Sequence, residues 1–142
     1  MKLIAGLAAA ILLLASTPAF AQEGRQGGVP AAAGVQRGLQ SMHNSGQNGY
    51  VTLFDRGATT HVVVDVHGMN PVGPQAVAIQ RGKLCSAIQP GVVAWSTNLV
   101  GGMSRGNVPL SVHRLLSGNY VVIVHGSTMA GAPIVSCGML FT

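Results

Sequence analysis

Five histidines, two cysteines and three acidic residues are the side chains of this 142-residue chain with the greatest capacity for chemistry. The histidines are His43, His61, His67, His113 and His125. Imidazole binds metals and exchanges protons near neutral pH, so the spacing of these five residues decides which sites the chain could build.

His61 and His67 fall on the same face of one predicted strand, with Asp65 between them. Six residues of strand separate the two histidines by about 20 Å, too far to share one ion. Asp65 and His67 are closer, at about 7 Å between Cα atoms, and could form half of a site. We otherwise expect both histidines to face solvent. His43 and His113 have no partner close by in the sequence.

Hydrolytic and acid–base chemistry have little support in the sequence. The carboxylates beyond the first residues are Glu23, Asp55 and Asp65; Glu23 belongs to a flexible leader and Asp55 borders a turn. A paired acid–base site is therefore not expected. The only Gly-x-Ser-x-Gly match, residues 102–106, is not followed by the helical pattern that a nucleophile elbow requires. We predict that the protein is not an enzyme.

The first residues predict export. A positive start, an apolar run over 3–15 and the small-x-small pattern Ala19-Phe20-Ala21 are typical of a secretory signal peptide, residues 1–21. The apolar run is short for a membrane span and Pro18 follows it, although a retained anchor is the alternative. We expect a periplasmic or extracellular protein with no transmembrane segment in its mature chain.

The mature chain predicted by this cleavage is one small domain. Loss of 21 of the 142 residues leaves about 121, enough for a single core. Residues 22–34 are rich in Gly, Ala and Gln and predict a flexible leader. Loss of Lys2 reduces the 8 basic residues by one against 3 acidic residues, which leaves a net charge of +4. The basic residues are scattered, so we expect no nucleic-acid partner.

Cys85 and Cys137 are the two cysteines. An even count in a small exported domain favours one disulfide, with two buried free thiols as the alternative. In the chain-entropy model, a disulfide that closes a loop of about 50 residues would add roughly 4 kcal/mol to the free energy of unfolding.

Short alternating segments separated by glycines predict an all-β domain over residues 35–142. Residues 50–55 and 61–67 alternate with period two around a turn at Arg56-Gly57, which predicts a hairpin. Ser111 could cap a single helical turn that extends to Leu116 and ends at Gly118. The loops at 70–75 and 101–107 are expected to present a contact surface. The strand pattern predicts an antiparallel Greek-key β-sandwich.

Four segments of the C-terminal half carry a family resemblance. In order they are "GPQAVAIQRG", Cys85, "VVIVHG" and "SCGML". In this order and spacing they resemble the copper/zinc superoxide dismutase-like superfamily, in particular its small exported bacterial members and the related CHRD-type domains. The hairpin "SGQNGYVTLFD…TTHVVVDVHGM" and "LSVHRLLSGNYVVIVH" also look like that group. The resemblance implies an immunoglobulin-like, two-layer sandwich.

The resemblance also assigns residues. It implies that Cys85 and Cys137 form the intrasubunit disulfide of the family and that His125 occupies the position of a copper ligand. The His-x-His copper pair of the family would fall on Ala78-Ile79-Gln80, where neither flanking residue is a histidine. The bridging and zinc ligands have no counterpart, since no His or Asp lies between Cys85 and Trp95.

These assignments favour an exported, non-catalytic sandwich that acts as a binding or structural module for an unidentified protein or envelope component, with no cofactor. One alternative is a copper-binding or residual superoxide-related oxidoreductase that uses His125 with His67 or His43. Another is an assembly protein that pairs through the uncharged runs "VVIV" and "PIVSCGMLF" if they form exposed edges.

Overall fold

The computed structural model describes residues 33–68 and 73–141, without the side chains of residues 90–92. The predicted signal peptide, residues 1–21, lies outside the described residues, as do residues 22–32 of the predicted leader and residues 70–72 of the predicted 70–75 loop.

Eight strands and one short helix make up the described part of the chain. They are β1 (Val35–Ser41), β2 (Asn48–Arg56), β3 (Thr59–His67), β4 (Gln75–Gly82), β5 (Ile88–Leu99), β6 (Met103–Val108), α1 (Val112–Ser117), β7 (Tyr120–His125) and β8 (Ile134–Met139).

The strands are antiparallel and follow the spatial order β5-β4-β7-β8-β1-β2-β3-β6. β1 connects two four-stranded halves, because Val35–Leu39 pair with β2 whereas Gln40 and Ser41 pair with β8. The continuous sheet curls so that the outermost strands, β5 and β6, lie side by side. β6 therefore lies beside both β5 and β3, which is a Greek-key arrangement. The predicted all-β sandwich is confirmed.

The predicted hairpin is formed by β2 and β3, with nine residue pairs from Asn48↔His67 to Arg56↔Thr59. Asp55 Oδ1 accepts a hydrogen bond from the Gly57 amide at 2.8 Å and supports the turn. The inward-facing side chains of the two strands are fully buried. The period-two pattern thus fixes both the register and the face that the hairpin buries.

The predicted loop at 101–107 is wrong, because Met103–Val108 form β6. The connection from β5 is a tight turn in which Gly101 and Gly102 both have positive φ and Val100 pairs with Met103. Two consecutive residues with positive φ are what a two-residue type I′ hairpin requires. Gly106 continues the strand because the Trp95 ring covers it, and a Cβ there would lie 2.8 Å from Cζ2 of that ring.

The main core lies between the two halves of the sandwich. Its largest fully buried apolar side chains are Leu53, Ile79, Leu99, Leu115, Leu140, Val51, Val62, Val64, Val77 and Val108. α1 closes one side of this core with Leu115. As predicted, Ser111 is its N-cap and accepts a hydrogen bond from the Arg114 amide at 3.3 Å, and Gly118 is its C-cap. No helix of the described segments is long and apolar enough to cross a bilayer.

A second apolar cluster covers the opposite face of the β4-β7-β8 half. Ala78, Val121, Ile123 and Cys137 are buried there under the chain that follows β4. Cys85 and Cys137 are joined as a disulfide, with Cα atoms 5.9 Å apart and a sequence separation of 52. The disulfide therefore attaches the β4–β5 connection to β8 on this outer face.

The runs proposed as exposed pairing edges are internal, so that alternative is wrong. "VVIV" belongs to β7, which pairs with β4 on one side and β8 on the other. The second run forms β8, which lies between β7 and β1. Their backbone groups are already used within the sheet.

Candidate functional site

A groove of about 390 Å³ lies on the outer face of the sandwich, across β4 and β5 and beside the end of β7. We call it the sheet-face groove. Its described lining residues are Ala76, Val77, Ala78, Gln80, Val93, Ser96, Thr97, Asn98 and His125.

Strand register explains the floor of the sheet-face groove. Val77 and Ile79 point into the main core, so Ala78 and Gln80 point to the opposite face. Ala78 lies opposite Ile123 of β7, and His125 follows Ile123 by two positions on the same face of that strand. The structure thus brings the predicted site positions Ala78, Gln80 and His125 to one groove.

His125 is held at the groove by its ring nitrogen Nδ1, which lies 2.8 Å from the carbonyl oxygen of Ala132. A carbonyl only accepts, so Nδ1 carries the proton and donates. In the neutral ring, Nε2 then keeps a lone pair that a metal could use. An imidazole oriented by a backbone carbonyl is a common arrangement for metal ligands.

Among its described lining residues, the groove has one imidazole where the resemblance implies a copper site with several. Such a site needs several converging nitrogen ligands. Ala78 has no donor atom, and the Gln80 amide oxygen is a hard ligand better suited to other ions. His125 contributes one imidazole. The side chains at these three positions therefore do not provide the nitrogen ligands that a redox copper ion needs.

His43 and His67, the proposed partners of His125, do not line the sheet-face groove. His43 donates from Nδ1 to the Ile134 carbonyl oxygen at 3.0 Å, and its φ of 51° places it in a turn. His67 lies against a different cavity and contacts Asp65, with Nε2 and Oδ1 3.6 Å apart. Within residues 33–68 and 73–141, no three His, Cys, Asp or Glu side chains gather around a common point.

His61 and His113 lie away from the groove as well. The Nδ1 of His61 is 3.0 Å from Asn107 Oδ1, and its ring packs at 6.1 Å from that of Phe54. His113 is exposed on α1. The expectation that His61 faces solvent therefore needs adjustment, since its ring is half-buried and hydrogen-bonded across the sheet to β6.

A larger cavity of about 510 Å³ lies at one end of the sandwich, where β3 and β5 end and β2 and β4 begin. We call it the end cavity. Its lining includes Gln47, His67, Pro74, Gln75, Val100 and Gly102. It combines two side-chain amides with apolar surface and, unlike the sheet-face groove, with glycines.

Gln75 is the polar centre of the end cavity and is only 1% exposed. Its Nε2 donates to Gln47 Oε1 at 2.9 Å and to the His125 carbonyl oxygen at 3.0 Å. Sequence analysis did not select Gln75 or Gln47. The sequence does single out Gln75, because it lies at the same alternate positions of β4 as Val77 and Ile79, which point into the core. A polar residue at such a position is unusual.

Several basic side chains are used inside the molecule rather than as a binding surface. Arg37 Nε donates to the Leu140 carbonyl oxygen at 3.2 Å. The Arg81 guanidinium lies 5.4 Å from the centre of the Tyr120 ring, a cation–π distance. Arg105 Nη2 is 3.1 Å from Met103 Sδ. The positive charge is thus distributed over separate strands, each with a local contact.

Comparison with known proteins finds no matching family model, no matching curated protein and no matching solved structure.

Proposed function

We propose that this protein is an exported binding module, a disulfide-linked sandwich of the superoxide dismutase-like class that has lost its copper site. Its partner would be an unidentified protein or envelope component. It would have no resident cofactor and would not dismute superoxide.

The observation that carries this proposal is the composition of the sheet-face groove. Ala78, Gln80 and His125 line the same outer groove, with Ala78 opposite Ile123 and Gln80 opposite Val121 of β7. The resemblance expects three imidazoles at these positions, and one remains. Copper that cycles between two oxidation states needs the missing nitrogen ligands, so the position is consistent with a lost metal function.

Export is supported by the bond between Cys85 and Cys137. Such bonds persist in oxidising compartments and are rare in reducing ones. The bond also secures the β4–β5 connection over an outer sheet face, which gives a rigid scaffold for loops at the sandwich ends. A rigid scaffold with variable loops is a common design for binding proteins.

A superoxide assay tests the loss of catalysis. Purified mature protein, loaded with Cu(II) and freed of excess metal, should dismute superoxide no faster than an identically treated His125→Ala variant. A rate near the diffusional limit of about 10⁹ M⁻¹ s⁻¹ that depends on His125 would overturn the proposal.

The second candidate function is copper binding through His125 without redox catalysis. The hydrogen bond from Nδ1 to Ala132 favours it, because it fixes the tautomer that leaves Nε2 able to bind a metal. A calorimetric Cu(II) titration separates the candidates. If His125→Ala weakens Cu(II) binding and His61→Ala does not, copper binding is the function; if both variants bind like the parent, the binding-module proposal stands.

A further inference from the structure

The end cavity contains a buried hydrogen-bond acceptor without a donor. Gln75 Oε1 is buried and has no hydrogen-bond partner among the described residues, although its side chain is part of the cavity wall. Leaving such an oxygen unpaired costs free energy, so native proteins nearly always supply a donor from protein, water or ligand.

The orientation of this amide follows from its neighbours. Nε2 lies 3.0 Å from the His125 carbonyl oxygen, which can only accept. Exchanging the oxygen and nitrogen of Gln75 would place two acceptors against each other there. Oε1 is therefore the unpaired atom, and the two hydrogens of Nε2 are already used by His125 and Gln47.

We propose that the end cavity binds a small neutral hydroxylated ligand of the sugar or polyol class, which donates a hydroxyl hydrogen bond to Gln75 Oε1. This inference rests on the proposed binding role. It adds a place, separate from the sheet-face groove, and a ligand class.

The lining selects this chemistry over charged ligands. An anion has lone pairs where Gln75 Oε1 needs a donor, so it gains nothing at this atom. An ammonium group could donate, but the described lining residues include no carboxylate to balance its charge. A hydroxyl group can donate to Gln75 Oε1 without bringing a net charge into the cavity, so its desolvation costs less free energy than that of an ammonium group.

The size and the remaining walls agree with such a ligand. A volume of about 510 Å³ falls within the range of small-molecule sites. Pro74 and Val100 offer apolar surface for the C–H faces of a sugar ring in the same cavity wall as the amides of Gln47 and Gln75. Gly101 and Gly102 leave the turn without side chains that would fill the space.

The test is an NMR titration of the ¹⁵N-labelled mature protein with D-glucose, N-acetyl-D-glucosamine and myo-inositol. D-glucosamine and D-gluconate serve as the cationic and anionic counterparts of glucose. At least one neutral probe should give saturable shifts at the Gln75 side-chain amide and at the Gly101 and Gly102 amides, with a Kd of about 1 mM or lower. The charged counterparts should bind more weakly.

Two variants and a matched control locate the site. His67→Ala removes a lining imidazole and should weaken binding roughly three- to tenfold, the worth of one hydrogen bond. His61→Ala removes an imidazole from the same strand outside the cavity and should leave binding unchanged. Gln75→Met, checked for folding by circular dichroism, should abolish the shifts.

Three results would overturn the inference. The first is that no neutral probe gives a saturable shift, which would mean that water alone satisfies Gln75. The second is that His67→Ala and His61→Ala change binding equally. The third is that glucosamine or gluconate binds more tightly than glucose. The superoxide assay is independent of all three, so failure here leaves the proposed loss of copper chemistry intact, and the reverse also holds.

Discussion

The alternation of side chains along β4 decides which residues face the sheet-face groove and which are buried. Ala78 and Gln80 face outward because Val77 and Ile79 fill the main core. The same alternation buries Gln75 at the start of β4. A sequence reveals this phase well within a clear strand. It does not reveal how deeply a strand end is covered, because that depends on the chain segments that pack over it.

The turn between β5 and β6 gives a residue-level prediction. Gly101 and Gly102 both have positive φ, but a Cβ on Gly102 would lie 2.7 Å from the Val66 carbonyl oxygen, whereas one on Gly101 meets nothing within 4 Å. We expect Gly101→Ala to lower the free energy of unfolding by about 1 kcal/mol through backbone strain. Gly102→Ala should cost about 1–3 kcal/mol more, because the backbone oxygen must move.

Urea unfolding of the two variants and the parent measures the difference. Equal losses in the two variants would contradict the close approach of this turn to β3.

Elements differ in how far the sequence determines them. The β2–β3 hairpin and α1 are local, since alternation, a turn glycine and a capping serine lie within a few residues of each other. The extent of β6 was not predicted, because Gly106 was interpreted as a break in the strand. In the structure the Trp95 ring packs over Gly106, a contact between β5 and β6. Long-range contacts of this kind leave no periodic signal along the chain.

The helix cap provides a prediction at the scale of an element. Ser111 Oγ accepts the Arg114 amide hydrogen, and the helix it starts places Leu115 in the core. Ser111→Ala should lower the free energy of unfolding by about 1 kcal/mol. Ser117 is the matched control on the same helix, since its hydroxyl donates to the His113 carbonyl oxygen at the exposed end. Ser117→Ala should change stability by less than about 0.5 kcal/mol, and a larger loss there than at Ser111 would contradict the assigned cap.

The whole molecule depends on one covalent cross-link over the β4-β7-β8 half. Cys85 and Cys137 close a loop with a sequence separation of 52. The double variant Cys85→Ala/Cys137→Ala should lower the free energy of unfolding by about 4 kcal/mol, mostly by freeing the unfolded chain. Unfolding in guanidinium chloride measures the loss. Reductant should destabilise the parent by a similar amount and leave the double variant unchanged, and a reductant-sensitive double variant would exclude the bond as the cause.

For the whole molecule, the fold class could be predicted from the sequence, but the arrangement of the strands could not. Alternation and turn spacing indicated an antiparallel sandwich, and two cysteines indicated one bond. The role of β1 as the connection between the two halves could not be predicted, because β1 meets β8 over two residues only. The end cavity is also a product of the layout, since it forms where strands distant in sequence end together.

The central claim, that the sheet-face groove is a copper position emptied by substitution, is tested most directly by restoring the ligands. Cu(II) affinity is measured by calorimetry for the parent, for Gln80→His, for Ala78→His/Gln80→His, and for that double variant combined with His125→Ala. Gln80 is half-buried, so the single variant should fold even if the buried Ala78 position is strained. We predict that the double variant binds Cu(II) roughly tenfold more tightly than the parent, about 1.4 kcal/mol, and loses part of that gain when His125 is removed. Gln80→His alone should gain little, because Gln80 lies opposite Val121, about 13 Å along β7 from His125. A folded double variant that binds Cu(II) no better than the parent, or whose gain does not depend on His125, would contradict the account.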